Sequence, residues 1–295
     1  MSRSVAAVIS EIVGRLSGFK KKLKTVENFE KLMKVRTKEQ LVPYKIPEKF
    51  KKMVETEQVD SMTVYYLNRQ EKAKKRILYI HGGAYIYEMY SQHWDMLNKI
   101  AKDSGAEIII PIYQLAPTHN FKDNIEILIK IYKSLLNDNS EIILMGDSAG
   151  GGLALGLSYE LADRNYTKPD KTILLSPWLD VTMENLDYKN YESKDPLLAG
   201  FGLKEAGKLW AGELSTKDER ISPLYGDYKK LQNITLFVGT REIFYPDVTT
   251  FYNNLVKQGV KAQLYVGEEM NHVWPLFPIP ETKETLKQIN KIINN

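Results

Sequence analysis

Glu141-Ile142-Ile143-Leu144-Met145-Gly146-Asp147-Ser148-Ala149-Gly150-Gly151 is the stretch that decides the fold. An unbroken apolar run from Ile142 to Met145 stops at small residues gathered around one serine, and a helical stretch follows at 151–163. Such a run, with no polar alternation, suits a strand at 141–145 that is covered on both faces. G-x-S-x-G between a strand and a helix puts the serine on a tight turn that exposes its Oγ. The helix behind it aims N–H groups and a positive dipole end at developing negative charge. Alone, the pentapeptide is a turn leading into a helix. The strand before it and the helix after it make Ser148 a candidate nucleophile.

Working outward, the same short apolar runs recur at 76–80, 107–112, 172–175, 235–238 and 262–266. Helical patterns fill 120–137, 151–163, 247–258 and 282–293. Strands alternating with crossover helices predict an α/β fold, a mostly parallel central sheet with helices on both faces. Ligands in such sheets bind beyond the carboxyl ends of the strands, so the chemistry belongs where the strands stop. Residues 181–228 break the alternation and hold Pro196, Gly200, Gly202 and Trp210. At the N-terminus, Val5, Val8, Ile9, Ile12, Val13 and Leu16 recur at helical steps, Phe29, Leu32 and Met33 mark a second helix, and Pro43 and Pro47 end the pattern. The expected organisation is an N-terminal helical segment, 1–55, that forms part of a cap, and a catalytic domain, 56–295, with a cap insertion at about 181–228.

His81-Gly82-Gly83-Ala84-Tyr85 directly follows the run at 76–80. Acyl transfer passes through a tetrahedral oxyanion that needs preorganised donors, and consecutive glycines let backbone N–H groups turn inward. The expected donors are the N–H groups of Gly82, Gly83 and Ala149. Of four histidines (His81, His93, His119, His272) only His272 follows the serine, in the loop after the last strand, where it can take the Ser148 proton. The acid lies past the strand before, where Glu242 and Asp247 compete. Glu242 sits in the turn; Asp247 follows Pro246 and opens a helix, where capping is its ordinary role. Glu242 is the expected acid, fixing the His272 tautomer. Tyr85, Trp178 and Trp274 are candidates for the substrate pocket, although aromatic residues at such places also serve plain packing. Asp147 is read as support for the site, and Asp180 as structural.

Taken together, His81-Gly82-Gly83, Gly146-Asp147-Ser148-Ala149-Gly150-Gly151, Tyr113-Gln114-Leu115-Ala116-Pro117, Ser176-Pro177-Trp178-Leu179-Asp180 and Asn271-His272 resemble the hormone-sensitive-lipase-like branch of bacterial α/β-hydrolase esterases. The resemblance runs from roughly residue 60 to 290. It implies the α/β-hydrolase fold with a helical cap, a Ser148–His272–Glu242 triad and oxyanion donors at Gly82, Gly83 and Ala149. It also implies hydrolysis of short to medium acyl esters. This chain has Glu242-Ile243 where many relatives have Asp-Pro, which keeps a carboxylate, and Gln114 where the family commonly has Arg.

The 295-residue chain has no cysteine, which removes disulfides, thiolate metal sites and cysteine nucleophiles. No histidine spacing forms a metal motif. No metal and no cofactor is expected. The net charge of +4 is uneven. Residues 1–52 carry 14 Lys+Arg against 5 Asp+Glu, leaving 27 against 32 in the rest. The run Lys20-Lys21-Lys22-Leu23-Lys24 allows a weak membrane-surface contact; a solvated helix face is the plainer reading. No signal peptide or spanning helix is read, so a cytoplasmic location is expected. The expected partner is a small-molecule ester, not nucleic acid; oligomeric state is not legible. Two other functions fit the same residues: an amide or formamide hydrolase on the same triad, and a non-catalytic ligand-binding protein on a hydrolase fold.

Overall fold

The computed structural model of the protein describes residues 3–137 and 139–295. Its strands are β1 (Val54–Val59), β2 (Met62–Leu67), β3 (Lys75–Ile80), β4 (Glu107–Ile112), β5 (Glu141–Asp147), β6 (Lys171–Leu175), β7 (Ile234–Gly239) and β8 (Ala262–Gly267). Its helices are α1 (Val5–Leu16), α2 (Phe19–Lys22), α3 (Val26–Glu39), α4 (Ser91–Ser104), α5 (Phe121–Leu135), α6 (Ser148–Asp163), α7 (Tyr188–Glu192), α8 (Gly200–Ala211), α9 (Tyr245–Lys257) and α10 (Pro280–Asn294). The strands form one eight-stranded sheet in the order β1-β2-β4-β3-β5-β6-β7-β8. Pairing is antiparallel at β1–β2 and β2–β4 and parallel from β4 through β8.

The unbroken apolar runs feed two cores. Along β5, Ile142 and Leu144 face the layer of α5, α6 and α9, while Ile143 and Met145 face the layer of α4 and α10. A strand clothed on both sides has no polar face to show, so periodicity two disappears from its sequence. The hairpin β1–β2 is an addition to the sequence reading. β1 reads Val-Glu-Thr-Glu-Gln-Val and lies half-exposed at the sheet edge, so no apolar run announces it. Helix α4 is a second addition, and α6 starts at Ser148 rather than 151.

The N-terminal helices lie against the segment that interrupts the alternation. Gly202 N–H donates to Leu23 O at 2.8 Å, and a Cβ at Gly202 would sit 2.6 Å from the Leu23 Cβ. The Lys20 ammonium donates to Asp195 O at 2.6 Å and to Glu192 O. Phe29 meets Phe201 edge to face. α1 is fixed by Glu11, which is buried and takes Arg3 at 2.5 Å, Arg15 at 2.7 Å and Arg241 at 3.0 Å. Burial alone would raise the Glu11 carboxyl, but the three guanidiniums more than offset it and hold it down at about 2. Because the folded value lies below the ordinary one, the stabilisation is complete above about pH 4.5 and fades as pH falls toward 2. Glu11→Gln should therefore lower the melting temperature by a few degrees at pH 7. The difference from wild type should narrow in a melt at pH 2.5.

Candidate active site

Ser148 opens α6 directly at the end of β5 with φ +52°, a left-handed backbone that a non-glycine residue adopts only under constraint. The constraint comes from close packing behind it. A Cβ on Gly150 would lie 2.1 Å from Ile80 O and 2.4 Å from His81 O, so only glycine lets α6 start against the end of β3. The turn is further pinned by the Trp178 N–H, which donates to Ser148 O at 2.9 Å.

His272 stands in the loop between β8 and α10, with Nε2 2.9 Å from Ser148 Oγ. Glu242 lies just past β7, fully buried, with Oε1 3.5 Å from His272 Nδ1. Neither of these two atoms has another hydrogen-bond partner among the described residues. Such contacts are often long before substrate binds. The other Glu242 oxygen accepts from Ser176 Oγ at 2.7 Å and from Gly239 N–H at 3.1 Å. Burial pushes the imidazole toward neutrality, yet the Glu242 carboxylate, together with the nearby charges of Asp195 and Asp147, raises His272 above its usual value. Asp247, the competing carboxylate, turns elsewhere. It accepts from Asn185 Nδ2 at 2.6 Å, and burial pushes it up to about 7.

Ser176 is a site residue that sequence reasoning quoted but gave no role. Its hydroxyl donates to Glu242 and accepts from Val273 N–H at 3.0 Å, so one side chain ties the acid loop to the base loop. Its φ of +48° marks the same kind of turn at the end of β6 that Ser148 makes at the end of β5.

Asp147 governs the glycine loop. Its Oδ1 takes Gly82 N–H at 2.8 Å and Tyr79 OH at 2.5 Å, and its Oδ2 faces His93 Nε2 at 3.3 Å. The His93 ring is oriented by Tyr90 N–H, which donates to its Nδ1 at 3.0 Å. Burial alone would raise the Asp147 carboxyl; His93, Tyr79 and the Gly82 amide together keep it low. This bond corrects the expectation for Gly82, whose N–H is already engaged. Gly83 and Ala84, by contrast, line the cavity with Ser148, and among the described residues neither N–H has an internal acceptor. Ala149 lies in the first turn of α6, where N–H groups have no partner within the helix. Ala84 is the residue that sequence reasoning missed, and the signal was its place in the same loop. Asp147→Ala should free Gly82 and loosen this loop, costing about 10²-fold in kcat with little change in KM. Steady-state kinetics on a soluble ester would measure it.

The cavity above Ser148 measures about 380 Å³, within the range of small-ligand sites. Phe19, Tyr90, Leu197, Leu198, Leu276 and Phe277 give it an apolar wall, and Ser17 and Lys22 stand at it too. Both the N-terminal segment and the 181–228 segment therefore face the nucleophile. The three aromatic residues expected there do not. Tyr85 is fully buried between Trp178 and Trp210, with ring centroids at 5.4 and 4.4 Å. Trp178 also stacks on Phe244. Trp274 is buried against Phe237 and donates from Nε1 to Thr285 Oγ1 at 2.9 Å. All three rings are consumed by packing. His81 is fully buried as well, stacked on Tyr113, and burial lowers its ring to about 4, so it stays neutral. Among the described residues no cluster of three or more His, Asp or Glu is placed to hold a metal ion.

A buried imidazole between a strained serine and a carboxylate, each at a different strand end in the parallel part of one sheet, defines a serine hydrolase arrangement. The chain belongs to the alpha/beta hydrolase fold family, whose pattern matches residues 77–276. It is 30% identical over 233 residues to an esterase of Acinetobacter venetianus, covering 76% of each chain. It is 24% identical over 234 residues to an acetyl-hydrolase of Streptomyces hygroscopicus, covering 78% of each. The structure superposes on a Staphylococcus aureus protein assigned as an esterase with a TM-score of 0.88, at 31% identity and 96% coverage of both chains. It superposes on EstE5, from a crystal soaked in p-nitrophenyl butyrate, with a TM-score of 0.83, at 26% identity and 99% and 98% coverage.

Proposed function

We propose that the protein hydrolyses carboxylic esters through an acyl-enzyme on Ser148, with His272 as base and Glu242 as the acid that orients it. Carboxylic ester hydrolysis is the activity of the class to which the fold and the relatives assign the chain. The observation that carries the residue assignment is the 2.9 Å contact from Ser148 Oγ to His272 Nε2 at the floor of an apolar cavity. Ser148 Oγ attacks the ester carbonyl as His272 Nε2 takes its proton. Glu242 stabilises the imidazolium that forms, and Ser176 and Gly239 hold the carboxylate in place. The oxyanion is received by the N–H groups of Gly83, Ala84 and Ala149, each worth about 3–4 kcal/mol of barrier. Collapse expels the alcohol, protonated by His272. A water activated by the neutral ring then releases the acid and restores Ser148.

The N-terminal helices and the 181–228 segment act as a cap that shapes the acyl site, a reading supported by the walls they give the cavity. The modest volume favours short to medium acyl chains, in keeping with relatives named acetyl-hydrolase and, in Pseudomonas putida, ethyl acetate hydrolase. In a p-nitrophenyl ester panel, kcat/KM should peak between acetate and hexanoate and fall at least tenfold by palmitate. Faster turnover of an aryl formamide than of any ester would move the protein to the amide-cleaving reading.

A further inference from the structure

Helix α1 is docked the wrong way round for an ordinary surface helix. A surface helix turns its apolar stripe to the core and its polar face to water. Here Ala7 and Glu11 are the buried positions, 3% and 5% exposed. Gly14 packs so closely that a Cβ would meet Leu197 Cδ2 at 3.2 Å. The attachments are polar: Glu11 to three arginines, Ser4 N–H and Oγ to Glu281 at 2.6 and 2.9 Å, and Arg15 to Lys194 O at 2.8 Å. The aliphatic stripe is left in water. Val5 is 76% exposed, Ile9 55%, Ile12 51%, Val13 61% and Leu16 80%. A contiguous exposed apolar face of this kind marks an interaction surface.

Two features say what covers it. The first is charge. α1 leads into the run Lys20-Lys21-Lys22-Leu23-Lys24, and Lys21, Lys22 and Lys24 have no carboxylate within ion-pair distance among the described residues. Residues 1–52 carry a balance of +9 and the rest −5. An aliphatic stripe beside a cationic tract fits an anionic lipid surface. A second copy docking through the same face would offer the tract only another basic segment, since residues 1–52 carry a balance of +9. The second feature is position. α1 ends at Ser17, which with Phe19 and Lys22 stands at the cavity above Ser148.

We propose that the outward face of α1, with Lys21 and Lys24, docks the protein reversibly on an anionic lipid surface, with the cavity mouth beside the contact. The docking goes beyond the ester-hydrolase reading and does not depend on it. The test is co-sedimentation of the full chain with vesicles of phosphatidylglycerol and phosphatidylcholine, against phosphatidylcholine alone. Wild type should bind the anionic vesicles at least tenfold better. Ile9→Glu/Val13→Glu should lose that binding at least tenfold, and Lys21→Glu/Lys24→Glu should lose most of the preference for anionic vesicles. Hydrolysis of p-nitrophenyl acetate should be unchanged in both variants, which shows that they are folded and keeps this test separate from the catalytic assignment. Wild type remaining in the supernatant with both vesicles, or sedimenting no better than Ile9→Glu/Val13→Glu, would overturn the proposal. A wild-type dimer by light scattering that Ile9→Glu splits, with no vesicle binding, would overturn it in favour of a contact between copies.

Discussion

Ser148→Ala should lower kcat on p-nitrophenyl butyrate by about 10⁴- to 10⁶-fold and leave the fold intact. The magnitude follows from removing the atom proposed to form the acyl bond while leaving the cavity in place. The loss should not come from unfolding. Among the described residues Ser148 Oγ makes one side-chain hydrogen bond, to His272 Nε2 at 2.9 Å, and the Trp178 backbone N–H bond to the Ser148 carbonyl survives the change. Alanine is no better suited than serine to φ +52°, so the melting temperature should move by no more than a couple of degrees. Glycine does accept that backbone, and Ser148→Gly should melt higher than Ser148→Ala while being equally inactive. Retention of more than a few per cent of wild-type turnover by Ser148→Ala would place the nucleophile elsewhere.

Glu242→Gln should cost about 10⁴-fold in kcat through the His272 tautomer. The geometry forces the outcome. Oε2 accepts from Ser176 Oγ and Gly239 N–H, so the glutamine carbonyl must take that place and its NH₂ must face His272 Nδ1. Nδ1 then has to accept, Nε2 carries the proton, and the ring cannot take another from Ser148. The pH profile should change as well. Burial is offset by Glu242, together with Asp195 and Asp147, which hold the imidazole above its ordinary value of 6.5, and the proposed base must be neutral. Wild-type kcat/KM should therefore rise with pH along a limb centred above 6.5, and in the variant that limb should move to lower pH. Asp247→Asn is the control. Asp247 bonds Asn185 rather than His272, so kcat should stay within a factor of two. Its stability should respond instead. Burial raises the folded carboxyl from 3.8 to about 7, so the cost of ionising it grows as pH climbs through that range and is complete above it. Asp247→Asn should melt higher than wild type at pH 8 and no higher at pH 4.

What the sequence made legible follows a physical line. Strands covered on both faces, such as β3, β4 and β5, leave short apolar runs bounded by turn residues, which read as buried strands. β1 sits at an edge with Glu and Gln pointing into water, and its six residues look like a loop. The chain order of serine, acid and histidine is local to strand ends, so position points to Ser148 and His272 and narrows the acid to Glu242 or Asp247, with Glu242 favoured by its place in the turn. Which amide of the His81-Gly82-Gly83-Ala84 loop stays free could not, because it turns on one hydrogen bond from Gly82 to Asp147 across 65 residues. The aromatic residues misled for a related reason. Tyr85 and Trp178 follow site motifs, but their rings stack into the core with Trp210, and only tertiary packing decides that. The periodicity of α1 revealed its stripe without revealing which way the stripe points. The anchoring of Glu11 by Arg3, Arg15 and Arg241 turns it outward, and two of those three partners lie outside the helix.

The proposed mechanism requires Ser148 Oγ to bond to the acyl carbon. Labelling the intact protein with a fluorophosphonate, followed by peptide mass spectrometry, tests that directly. A single adduct should form on the peptide carrying Ser148, be absent from Ser148→Ala, and form far more slowly in Glu242→Gln. An adduct on another residue, or an unlabelled wild type that still turns over p-nitrophenyl butyrate, would contradict it.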